Sequence, residues 1–215
     1  NQAITGVSNL GPGKNVFGWT VVNGSCVTSD EVQIVRFLPP SPADAGIDQS
    51  ICSSSSTLNA GSYSTGTGRW SLISGSGTFS NPDNRMCPVS GLSYGANVFR
   101  WTVSSGACPE NTDEITIFRQ TEPGPALVSA DTNICSTSTS ISAIPPASGT
   151  GIWSLISGSG VIATSLNPST LVYNLSSGQN VFRWTVVNGD CPAVSDEITI
   201  TRFLPPTVAQ AGNDL

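Results

Sequence analysis

The stretch Asn97-Val98-Phe99-Arg100-Trp101-Thr102-Val103 returns as Asn15-Val16-Phe17-Gly18-Trp19-Thr20-Val21 and as Asn180-Val181-Phe182-Arg183-Trp184-Thr185-Val186. This recurrence constrains the chain more than any other feature, because it makes the fold a property of a repeated unit. In the middle copy Phe99, Trp101 and Val103 share one parity and Arg100 and Thr102 the other, the period-two signature of a strand with one buried face. Asn97 does not obey the pattern, being polar on the apolar parity. Trp19, Trp101 and Trp184 lie 82 and 83 residues apart, and the pairs Asp30-Glu31, Asp113-Glu114 and Asp196-Glu197 lie 83 and 83 apart. That period exceeds the ~20 to 50 residues of solenoid repeats, which lean on neighbours for a core. It suits a small independent β-sandwich of about seven short strands.

Residue usage agrees. Only 10% of the 215 residues are charged, Lys14 is the one lysine, and there is no histidine. Gly, Ser, Thr and Pro are abundant and Val, Ile, Trp and Phe carry the apolar content, which predicts strands joined by turns and essentially no helix. A net charge of -6 with seven scattered arginines offers no electrostatic footprint for nucleic acid or an anionic membrane. No run approaches the ~20 apolar residues that span a bilayer, so membrane insertion is not expected. Any export signal is expected outside this sequence.

The repeat sets the domain expectation. Residues 1–41 match only the C-terminal half of a unit, 42–124 and 125–207 are full units, and 208–215 begin the next. Leu38-Pro39-Pro40, Thr121-Glu122-Pro123-Gly124 and Pro205-Pro206 mark the junctions. Proline fixes φ and removes a donor, so these linkers are expected to be short and stiff, giving a rod. Within each full unit a second tryptophan, Trp70 or Trp153, is expected to pack on Trp101 or Trp184 across the two sheets.

Cys52 and Cys108 are 56 residues apart, as are Cys135 and Cys191. In a chain without histidine the equal spacing predicts disulfides Cys52–Cys108 and Cys135–Cys191, one per domain, in place of a zinc site. In an Ig-like sandwich both cysteines would then lie at one end. Disulfides also place the chain outside the cytoplasm. Cys26 occupies the Cys108 position of the half unit and has no partner in the sequence; Cys87 has Thr5 and Thr170 as counterparts and is expected unpaired.

Catalytic chemistry has little to work with. Without histidine there is no Ser-His-Asp arrangement and no imidazole base. Asp113-Glu114 and Asp196-Glu197 are adjacent in strands and point to opposite faces, so neither pair can flank one substrate bond. The chain is therefore expected not to be an enzyme and to hold no cofactor. One sharper option exists: Asp48, Asp113, Asp131 and Asp196 fall at strand ends near the junctions, where oxygen ligands could bind a structural Ca²⁺. The alternative reading is a set of solvated, turn-forming carboxylates.

The set Ala45-Gly46-Ile47-Asp48-Gln49 leading to Cys52, Gly66-Thr67-Gly68-Arg69-Trp70-Ser71, Gly75-Ser76-Gly77-Thr78-Phe79-Ser80, Gly91-Leu92, the Asn97–Val103 strand, Cys108-Pro109 and Asp113-Glu114-Ile115-Thr116-Ile117 resembles the PKD-like and Ig-like tandem repeats of very large Bacteroidota cell-surface proteins. Those proteins are similar to the gliding-motility adhesins exported by the type IX secretion system. The resemblance covers both full units and the half unit. It implies an all-β chain of tandem Ig-like (PKD-like) β-sandwiches of about 83 residues, forming the stalk of a secreted adhesin or filament at the cell surface. Expected partners are neighbouring repeats of the same long chain, with other copies in a filament, or surface glycans or proteins, as further candidates. A glycan-binding module array of a secreted enzyme would instead show exposed aromatics on one face. Calcium-dependent, cadherin-like association rests on the junction carboxylates alone.

Overall fold

The computed structural model describes residues 4–210 and 212. Residues 1–3 of the expected half unit, and positions 211 and 213–215 of the expected next unit, lie outside the described residues. All regular structure among the described residues is strand. The chain forms two compact units, Asn1–Gln49 with Ser53–Phe118, and Ser50–Cys52 with Arg119–Leu215.

The second unit holds β10 (Thr132–Ile134), β11 (Ser138–Ser142), β12 (Thr150–Ser157), β13 (Val161–Ile162), β14 (Ser169–Tyr173), β15 (Gly178–Val187) and β16 (Val194–Arg202). They make a four-stranded sheet in the order β10-β16-β15-β12 and a three-stranded sheet β11-β14-β13. Ile141, Trp153, Val172, Phe182, Trp184, Val186, Ile198 and Ile200 fill the space between them. Burying this many large apolar groups is the main drive for folding, at ~25 cal/mol per Å² of apolar surface removed from water. β10 is the exception to antiparallel order: it runs parallel to β16, with Thr132, Asn133 and Ile134 opposite Ile200, Thr201 and Arg202.

Trp153 and Trp184 are direct cross-strand partners on β12 and β15, with ring centroids 5.2 Å apart. The tryptophans therefore meet within one sheet, side by side, and not across two sheets as expected. The reason lies in the Gly-Thr-Gly motif. A Cβ on Gly151 would fall 1.9 Å from Cζ2 of Trp184, so only a glycine leaves room for the ring to lie flat over its own sheet neighbour.

The same plan occurs earlier in the chain with β3 (Gln49–Ile51), β4 (Ser55–Asn59), β5 (Thr67–Ser74), β6 (Thr78–Phe79), β7 (Met86–Ser90), β8 (Gly95–Ser104) and β9 (Asn111–Arg119), in sheets β3-β9-β8-β5 and β4-β7-β6; all of these residues except Ser50, Ile51 and Arg119 count with the first unit. Trp70 and Trp101 again pair in register, centroids 5.0 Å apart. Cys87 is fully buried on β7 with a free thiol, where it acts as a small apolar core residue. The same unit includes the hairpin β1 (Gly13–Asn23) and β2 (Cys26–Arg36). Trp19 on that hairpin is 50% exposed, whereas Trp101 and Trp184 are 0% exposed: the strand is the same, but no second sheet lies over it among the described residues.

Candidate functional site

Three segments of the second unit converge on one covalent clamp: Ser50–Cys52, Arg119–Thr121 and the turn between β15 and β16. Cys52 is bonded to Cys191 across 139 residues of sequence, with Cα atoms 5.3 Å apart. Gln120 sits between the two sides. Its backbone N–H donates to the Ile51 carbonyl at 2.7 Å, and its Nε2 donates to Ser50 Oγ at 2.6 Å and to Asp190 Oδ2 at 3.2 Å. Its Oε1 accepts from Asp190 N at 3.2 Å, and Asn188 Nδ2 donates to the Thr121 carbonyl at 2.7 Å. Gly189 makes this fit: its φ is +54°, and a Cβ there would lie 1.5 Å from Gln120 Oε1. In the chain-entropy model a loop this long is worth about 5 kcal/mol, against roughly 1 kcal/mol for each neutral hydrogen bond. The sulfur bridge outweighs any single hydrogen bond of the clamp and about equals the five together.

This pairing overturns the expected bonds Cys52–Cys108 and Cys135–Cys191, and the parallel strand is the cause. β10 delivers Cys135 beside Arg202, at the far end of β16, while Cys191 lies in the turn before Val194, at its near end. Eight strand residues separate those ends, about 26 Å at ~3.3 Å per residue, against a bridgeable Cα separation of ~4.4 to 6.8 Å. Cys52 is placed likewise, next to the residue that follows β9, whereas Cys108 lies in the turn before that strand. Cys26, Cys108 and Cys135 carry free thiols, Cys26 and Cys135 exposed and Cys108 half-buried.

The four calcium candidates are not brought together. Asp113 Oδ2 accepts the Ala45 N–H at 2.7 Å and Asp48 Oδ1 the Thr116 N–H at 2.8 Å. Asp196 Oδ2 accepts from Val128 N at 3.0 Å and Asp131 Oδ1 from Thr199 N at 2.8 Å. Each carboxylate stitches the leading segment of a repeat to its last strand. No group of three or more potential metal ligands occurs among the described residues. Glu114 and Glu197 point away and pair with Arg100 at 2.6 Å and Arg183 at 2.5 Å, exposed contacts worth ~1 kcal/mol at most.

The residue that breaks the alternation proves to be a hub. Asn97 is completely buried; its Oδ1 accepts from Ser76 N (2.9 Å), Ser93 N (3.1 Å) and Ser93 Oγ (2.8 Å). Its Nδ2 donates to the carbonyls of Ser93 (2.9 Å), Gly95 (3.2 Å) and Ile117 (3.2 Å). Asn180 repeats the pattern with Ser159 N, Ser176 Oγ and the carbonyls of Ser176, Gly178 and Ile200. The misplaced parity was the sequence signal for this role. Gln120 gave none, since its repeat counterparts Phe37 and Phe203 share no chemistry with it.

No family model and no curated protein match the sequence. Solved structures do. Domains A168–A170 of titin align with a TM-score of 0.50 at 12% identity, covering 88% of this chain and 74% of that one. The insect immune protein hemolin aligns at 0.44 and 11% identity, over 87% of this chain and 56% of its own; the chain thus spans little more than half of hemolin's length. Fibronectin(III)-like modules of Clostridium thermocellum CbhA align at 0.38 and 12% identity, over 83% and 100%. Together with the two-sheet strand order described above, the titin alignment makes this an all-β chain of tandem Ig-like β-sandwich domains.

Proposed function

We propose that this chain is a shaft segment of a long, secreted cell-surface adhesin or filament, with a structural and adhesive role and no catalytic one. The observation that carries the reading is where the repeated polar groups go. Asn97 and Asn180 hold loops to strands, and the four aspartates hold N–H groups of the backbone. What the repeat preserves is chemistry that builds the domain. Trp70, Trp101, Trp153 and Trp184 are at most 2% exposed, so these four offer no platform on which a sugar could stack. The disulfide favours a location outside the cytoplasm. The resemblance to type IX-exported gliding adhesins of Bacteroidota supplies the finer expectation of surface anchoring. Antibodies raised against the purified chain should label intact, unpermeabilised cells of the organism that makes it, and the label should vanish when type IX export is blocked. Labelling seen only after permeabilisation would sink the proposal.

A further inference from the structure

The Cys52–Cys191 bond has a repeat logic that the free thiols share. Adding the period of 83 to Cys52 gives Cys135, and adding it to Cys108 gives Cys191. Thus the bond joins the leading cysteine of one sequence repeat to the loop cysteine of the repeat that follows. Cys135 is placed as Cys52 is: the residue after β16, Phe203, donates its N–H to the Ile134 carbonyl at 2.8 Å, as Gln120 does to Ile51 at 2.7 Å. Cys108 is placed as Cys191 is. It stands two residues beyond Gly106, which has φ +55° and lies under Phe37, where a Cβ would come within 2.3 Å of the ring. Phe37 and Gln120 are counterparts at the 83-residue period, as are Gly106 and Gly189. The seat of the loop cysteine, a positive-φ glycine two residues before it lying under a linker side chain, is therefore built twice, and the thiols of Cys108 and Cys135 are free.

We propose that Cys108 and Cys135 are half-sites for the same staggered disulfide, each made to bond the complementary cysteine of an adjoining repeat of this sequence type. Cys135 takes a loop cysteine of the Cys191 kind, and Cys108 a leading cysteine of the Cys52 kind. The chemistry is thiol–disulfide exchange with a small-molecule or protein disulfide as oxidant. The thiolate of one cysteine attacks the oxidant's S–S bond and releases one thiolate; the partner thiolate then displaces the second. Two protein thiols become one disulfide, the oxidant takes two electrons, and the two protons leave with its two thiols. Successive repeats become cross-linked one to the next, and no bond closes within a repeat.

The test lengthens the chain in register. Residues 208–215 are replaced by a second copy of residues 125–207, and the protein is folded in a mixture of oxidised and reduced glutathione. Non-reducing peptide mapping should find Cys135 joined to the copied loop cysteine while Cys52 stays joined to Cys191. Cys135 left as a thiol, or bonded to the Cys191 of its own repeat, overturns the proposal. The 215-residue chain gives a second reading that does not depend on the added repeat. Oxidised glutathione should cap Cys108 and Cys135 as mixed disulfides and leave Cys52–Cys191 intact. A Cys108–Cys135 bond within one chain, or a Cys52–Cys108 bond, refutes the staggered scheme.

Discussion

Replacing Asn97 with alanine is the sharpest perturbation available, because it removes one carboxamide and strands six polar atoms. Water can reach the half-buried Ser76, Ser93 and Gly95 and replace much of what their bonds contributed. It cannot easily reach the carbonyl of Ile117, a residue that is 0% exposed. The Ile117 carbonyl left fully unsatisfied costs ~1 to 3 kcal/mol, and the five re-solvated groups ~0.5 each, so the sum is about 3.5 to 5.5 kcal/mol. Set against the ~5 to 15 kcal/mol that holds an ordinary domain, this is a large fraction. A domain near 83 residues loses ~4 to 8 °C per kcal/mol, so calorimetry should show the transition falling by at least about 14 °C. Asn15→Ala is the internal control. The same residue begins the same motif on the hairpin, but its carboxamide bonds chiefly to the exposed Gly11 and Gly13 carbonyls, and the loss should stay below ~1 kcal/mol. If Asn97→Ala cost no more than Asn15→Ala, the hub reading would be refuted.

Gly151→Ala should destabilise by about 2 to 3 kcal/mol through overpacking against Trp184, measured by urea unfolding followed by tryptophan fluorescence; a neutral outcome would mean the Trp pair is loosely seated. Asp113→Ala should cost about 1 to 2 kcal/mol, because it orphans the Ala45 N–H, and the melting temperature should be the same with and without a chelator. A chelator-dependent drop that Asp113→Ala abolishes would restore the calcium reading.

The repeat, the all-β class and the buried Phe-Trp-Val parity were all legible from residues alone, because period-two burial at β8 and β15 depends on local alternation. Asn97 was legible only as an exception, since nothing local says whether a polar residue on the apolar parity is a defect or a hub. The cysteine pairing could not be read at all. Equal spacing of 56 fixes which cysteines correspond, but the direction of the three-residue strands β3 and β10 decides which end of the sandwich each occupies. That direction is set by side-chain hydrogen bonds such as Asp131 to Thr199 and by pairing partners dozens of residues away. The tryptophan contact was misassigned for a similar reason: nothing local in the sequence says that Gly68 and Gly151 clear space for an indole ring.

The bond between Cys52 and Cys191 also decides how the chain carries load. Tension applied at the two chain ends passes from residue 52 directly through the sulfur atoms to residue 191, so the 139-residue span it closes is out of the force path. Roughly 470 Å of contour, at ~3.4 Å per extended residue, is thereby withheld from stretching even if the strands inside it let go. Reduction turns that withheld length into slack. A single redox event thus sets whether that span is held out of reach of tension or free to be drawn out.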